Sequence, residues 1–224
     1  MPFIGNKPSA VPLTSADIAD GIITSAKIVD ATIANADIAN STINLTTKVT
    51  GTLPVANGGT NLSSGFANGI TEADMWRITT NTTIATAGTE LTSNWERVDT
   101  DGFGYIGTGM SQSSGVFTFP TTGVYLIEFN THYRQTTNDA NYVTSIILTT
   151  LDNSSYGIAS SSNSASRVND YNTNTVQFIF NVSSTSNRKC KFRMDAQVVT
   201  VTAFGETAEN STYVSFIRLG DSVW

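Results

Sequence analysis

The chain has 224 residues, 12 Lys plus Arg against 18 Asp plus Glu, one His and a formal charge of −6. Charged residues are only 13% of it, while Thr, Ser and Asn together number 79, which suits strands and turns rather than helices. A 39% hydrophobic fraction argues against charge-driven disorder, and the acidic balance gives no electrostatic reason to bind nucleic acid or an anionic membrane.

The opening MPFIGNKP has no basic start followed by an apolar stretch, so no secretory signal is expected. No apolar run approaches the length of a membrane span. Composition changes near residue 70: all three Trp and all seven Tyr lie from Trp76 onward. An aromatic-poor segment builds a poor globular core, so the chain reads as a repetitive stalk followed by a compact head.

Cut in fives from Ser15, the stalk reads SADIA DGIIT SAKIV DATIA NADIA NSTIN LTTKV TGTLP. Isoleucine takes the fourth place six times running, at Ile18, Ile23, Ile28, Ile33, Ile38 and Ile43; Lys48 breaks the series and Leu53 resumes it. Ala16, Gly21, Ala26, Ala31, Ala36 and Ser41 place a small residue two positions before each isoleucine, and Gly51 does the same before Leu53. Five residues advance a helix by about 500°, and an odd period flips faces in a strand. The pattern therefore needs a chain that turns regularly. A monomeric solenoid does this, as does an intertwined fibre in which several chains each add an isoleucine layer to one axis. A duplicated low-complexity linker is the third reading. Repeat units need stacking neighbours, which favours the multi-chain form. Then Asn57-Gly58-Gly59 signals a turn within a flexible connector.

The remainder predicts ten short strands, at 75–80, 95–98, 105–106, 115–119, 123–133, 143–150, 157–160, 175–182, 189–201 and 211–219, separated by turn residues such as Asp101-Gly102 and Thr121-Thr122-Gly123. The Ser- and Asn-rich stretch 156–174 otherwise reads as a polar loop. This spacing predicts an all-β sandwich or jelly roll. Proposed for the head core or a trimer interface are Phe119, Tyr125, Phe129, Phe178, Phe180 and Phe216.

Constellations for catalysis are absent from the pattern. One histidine, His132, rules out a multi-histidine zinc site within a chain, and no nucleophile motif such as GxSxG occurs. The Gly pairs at Gly102/Gly104 and Gly107/Gly109 are not followed by a helix start that would hold phosphate. Glu96, Asp99 and Asp101 lack the full spacing of a calcium loop. No enzyme activity, cofactor or metal is expected. Lys189, Lys191 and Arg193 share one face of a strand opposite Cys190, Phe192 and Met194. With Arg167 and Tyr171 of the polar stretch they are the candidate surface-contact residues, for a glycan or protein.

Two resemblances complete the reading. Gly115-Val116-Phe117-Thr118-Phe119-Pro120-Thr121-Thr122-Gly123-Val124-Tyr125-Leu126-Ile127-Glu128-Phe129, with Tyr213-Val214-Ser215-Phe216-Ile217-Arg218-Leu219 at the end, resembles the complement C1q/tumour-necrosis-factor jelly-roll family over roughly 90–220. Ser186-Asn187-Arg188 stands where that family usually has Gly-Asp. The resemblance implies a ten-stranded jelly-roll knob that forms a homotrimer. The repeat ADIADGIITSAKI followed by LPVANGGT resembles bacteriophage tail and head fibres, although Asn61 replaces the Gly that often follows. It implies a virion protein assembled in the host bacterial cytoplasm, anchored to other virion proteins by residues 1–14. The stalk is then 15–54, the hinge 55–72 and the knob 73–224. The expected role is structural, with host-surface adhesion by the knob. The alternatives are a purely structural capsid decoration or head fibre, and a glycan-depolymerising spike.

Overall fold

The computed structural model describes residues 14–30, 32–39, 42–43, 70–86, 88–198 and 200–223. The anchor through residue 13, the stalk from 44 onward with Lys48 and Leu53, and the hinge through 69 lie outside them. Contacts divide the chain into two units, 1–67 and 68–224.

In the first unit the period of five has a backbone cause. Among the described residues an i→i−3 amide hydrogen bond recurs every five residues: Asp17 N to Thr14 O, Ile22 N to Ala19 O, Lys27 N to Thr24 O, Thr32 N to Val29 O, Asp37 N to Ala34 O and Thr42 N to Ala39 O, with a second, Ile28 N to Ser25 O, beside the third. Each repeat isoleucine directly follows the residue that closes its turn. The turns alternate in kind, so the full structural period is two units. Short 3₁₀ turns form at Ser15–Asp17, Ser25–Lys27 and Asn35–Asp37. In two of them an aspartate folds back, Asp17 Oδ2 accepting from Thr14 N and Asp37 Oδ2 from Ala34 N, both at 2.7 Å. Of the three intervening turns, the first is closed by Ile22 and the other two by threonine, Thr32 and Thr42 donating Oγ1 to Val29 O and Ala39 O. Such side-chain bonds compete with longer helix.

The second unit is an all-β sandwich of two antiparallel sheets. Its strands are β1 (Ala73–Ile78), β2 (Thr82–Ile84), β3 (Thr89–Glu90), β4 (Trp95–Arg97), β5 (Ser111–Ser113), β6 (Val116–Thr118), β7 (Gly123–Gln135), β8 (Ala140–Thr150), β9 (Tyr156–Ser166), β10 (Tyr171–Val182), β11 (Lys189–Ala196), β12 (Val201–Ala203) and β13 (Tyr213–Gly220). In sheet A, β7 carries β10 along one side and β13 and β12 end to end along the other; β1 and β4 extend beyond β13, and β2 beyond β12. Sheet B runs β5-β6-β11-β8-β9, with β3 also on β11. The chain passes from β7 in A to β8 and β9 in B, back to β10 in A, then to β11 in B and β13 in A, a jelly-roll connectivity.

Strict alternation over β7 and β11 sets the core. Phe117, Phe119, Tyr125, Ile127, Phe129, Phe192 and Phe216 are buried between the sheets, with Phe117 edge-on to Trp95 and 5.4 Å from Phe192. Thirteen strands form among the described residues where ten were expected. The short β2, β3 and β5 are too polar and brief to carry a periodic signal, the expected 189–201 strand breaks into β11 and β12, and 105–106 makes only a bridge to Ala73. The largest difference is 156–174. What reads as a polar loop is the second half of β9, a short turn and the start of β10. Pairing to β8 and β7 supplies the ladder that Ser and Asn side chains do not announce. In the β5–β6 hairpin, Ser114 and Gly115 both have positive φ, 50° and 75°, as a two-residue primed turn requires.

Candidate functional surfaces

The six core candidates lie together. Phe119, Tyr125, Phe129, Phe180 and Phe216 are buried and Phe178 is half-buried against them. The Tyr125 hydroxyl donates to Thr121 O at 3.0 Å, and burial pushes its pKa up.

The five candidate contact residues do not form one site. Tyr171 opens β10 on the outer face of sheet A, with Arg167 in the turn before it. Lys189, Lys191 and Arg193 line the outer face of sheet B. That basic row is largely neutralised: Lys191 Nζ lies 3.3 Å from Glu90 and 4.3 Å from the Tyr156 ring centroid, and Arg193 lies 2.8 Å from Asp195. An anionic ligand would have to displace these carboxylates. On the opposite face of β11, Cys190 is fully buried and burial pushes its thiol pKa up, which makes it an inert packing residue.

Tyr171 belongs to a cluster with no single-sequence signal. Its ring stacks on Phe204 with centroids 5.6 Å apart, and both approach His132, at 5.7 and 5.0 Å. The Arg134 guanidinium sits 5.3 Å over Tyr171 while donating to Asn169 Oδ1 at 2.7 Å. The β7–β10 register, Arg134 opposite Tyr171 and His132 opposite Thr173, creates the cluster. Beside it opens a polar cleft of about 380 Å³ whose lining includes Asn130, His132, Thr175, Glu209 and Tyr213. Hydroxyls, amides and one carboxylate next to an exposed ring can hydrogen-bond and stack on a neutral polar ligand.

The remaining sequence candidates have structural occupations. Glu96 and Asp99 hold Arg77, at 2.6 and 2.8 Å. The amides of Thr108 and Gly109 in the Gly107–Gly109 loop donate to Glu72 Oε2, and Met110 N donates to Asp74 Oδ2. That loop is an anion nest filled by the chain's own carboxylates. Among the described residues, no three His, Cys, Asp or Glu side chains converge to hold a metal.

In the first unit, all six repeat isoleucines are substantially exposed: Ile18, Ile28 and Ile38 each at 39%, Ile23 and Ile33 at 54% and Ile43 at 51%. The exposures alternate with the two kinds of turn.

No protein-family model matches the chain, and no curated protein matches it by sequence. Solved structures resemble about two thirds of the chain. Murine APRIL is similar at 12% identity over 66% of this chain and 98% of its own, with a TM-score of 0.49. The Eiger TNF from S. frugiperda is similar at 11% over 67% and 93%, with a TM-score of 0.48. The PRD1 vertex protein P5 is similar at 18% over 68% and 99%, with a TM-score of 0.42. The sandwich assignment itself stands on the strand ladders described above.

Proposed function

We propose that the protein is a structural virion fibre of a bacteriophage, non-catalytic and homotrimeric, joined to the particle through its N-terminal segment and presenting the jelly-roll head to the host surface. The observation that carries this reading is the row of isoleucines, one after every described backbone turn and none buried by its own chain. A soluble chain seldom repeats a large exposed aliphatic residue at a fixed interval, because each leaves apolar area in water at about 25 cal/mol per Å². Parallel copies winding on one axis would remove that area and supply the neighbours a repeat needs. Three heads on one stalk would also raise avidity for a surface without new contacts.

Light scattering of the full chain at micromolar concentration tests the assembly, the expected mass being three times 23.9 kDa. A folded monomer overturns the fibre reading. Binding of the purified protein to host cells tests adhesion, and a trimer that seats on capsids and ignores cells assigns it to decoration instead.

A further inference from the structure

We infer that the ring cluster on the outer face of sheet A is a binding site for a neutral sugar, one pyranose lying on Tyr171 and Phe204 and its neighbour reaching the polar cleft beside His132. The inference rests on the adhesive reading of the head for its purpose and on the ring geometry for its ligand. Tyr171 is 61% exposed, yet its ring is held in place. Phe204 stacks on it with the planes 24° apart, and Arg134 sits over it while tied to Asn169. A large ring fixed in water forgoes the burial that favours it. The apolar face of a pyranose restores that burial, and its polarised C–H groups meet the negative face of the ring.

The cleft supplies the polar half of the site. His132 belongs both to the ring cluster and to the cleft lining. Thr173, Ser211 and Tyr213 bring hydroxyls to that lining and Glu209 a carboxylate. Among the described residues none of these four side chains, nor the His132 imidazole, makes a hydrogen bond. Hydroxyls donate and accept as sugar hydroxyls do, and the carboxylate accepts. The volume of about 380 Å³ lies in the range of small-ligand pockets. Charge selects within the class: an acidic sugar meets Glu209, and the guanidinium over the ring already donates to Asn169. Position agrees as well. β1 begins at Ala73 beside Ile217, which pairs in turn with Leu126 near the start of β7. Arg134 and Tyr171 pair near the other end of β7, about 26 Å further along the strand. The rings therefore lie at the end of the sandwich remote from the point where the preceding chain joins it.

Saturation-transfer NMR on the full chain tests this, with the methyl glycosides of glucose, galactose, mannose, N-acetylglucosamine and glucuronic acid as probes at millimolar concentration. At least one neutral glycoside is expected to receive transfer, strongest at the C–H protons of one ring face. Tyr171→Ala should weaken that binding by about tenfold. Tyr171→Phe, which keeps the ring, should retain it, and so should Lys191→Ala on the outer face of sheet B. No transfer to any neutral glycoside overturns the inference. So does transfer indifferent to Tyr171→Ala, which would put the site elsewhere, and so does tighter binding of the glucuronide than of the glucoside. Host-cell binding by a protein that takes none of the sugars sinks this inference and leaves the adhesive reading standing. Sugar binding lost in Tyr171→Ala, by a protein that ignores cells, upholds the site and sinks the adhesive reading.

Discussion

Arg77 and Glu96 face each other across β1 and β4, with Nη2 and Oε1 2.6 Å apart and the arginine side chain only 1% exposed. Asp99 adds a second carboxylate at 2.8 Å and Thr100 accepts from Nη1 at 2.9 Å. A guanidinium so enclosed needs its partners, because an unpaired buried charge costs more than the pair returns. Glu96→Ala is expected to destabilise the head by about 1–3 kcal/mol, Asp99 keeping the loss from being larger. The double variant Arg77→Met/Glu96→Leu removes both charges and should unfold at higher urea than Glu96→Ala alone. A double variant weaker than the single one would show that packing around Arg77 matters more than its charge.

The stalk prediction separates an assembled axis from a linker. If Ile28, Ile33 and Ile38 face partner chains, replacing all three with Asp buries unpaired carboxylates at several kcal/mol per site. Limited proteolysis should then cut the stalk rapidly and leave a protected fragment beginning near residue 70. Unchanged resistance in the triple variant means the repeat is a spacer.

Phe129 and Ser162 differ in how much packed apolar volume each contributes, Ser162 being half-buried. Phe129 is fully buried, 4.9 Å from the Phe192 ring, whereas Ser162 sits on β9 opposite Ser145. Phe129→Ala should cost about 3–5 kcal/mol and Ser162→Ala should stay within about 0.5 kcal/mol. Chemical denaturation of both proteins checks this, and equal midpoints would remove Phe129 from the packed interior.

Asp152 gives the head an acid-side dependence. In the β8–β9 turn its carboxylate accepts from the backbone amides of Ser155 and Ser154, each at 2.9 Å, and from Thr150 Oγ1 at 2.8 Å. Those donors, the Ser155 and Ser154 amides first, hold its pKa far below the usual carboxylate range. A depressed folded pKa stabilises at pH values above the unfolded pKa, and that contribution is lost as pH falls through the folded value. The melting temperature of wild type should therefore drop more steeply into acid than that of Asp152→Asn. Parallel acid limbs would mean the turn forms equally well with a protonated acid.

The parts of this molecule that its sequence determined are those encoded by neighbours along the chain. Val124 to Phe129 alternate, so β7 and the burial of Tyr125, Ile127 and Phe129 were legible, because a strand repeats every two residues whatever it packs against. The isoleucine period was equally plain, and each isoleucine follows a turn closed within four residues. Only the tertiary structure decided features made by residues far apart. Lys191 looked like part of an anion site until Glu90, 101 positions away, arrived beside it. The Tyr171, Phe204 and His132 cluster needed β10, the end of β12 and β7 brought to one face. Ser160 to Ser166 became strand because β8 offered a ladder: backbone hydrogen bonds fix a strand as firmly as side chains do, and they leave no mark on composition.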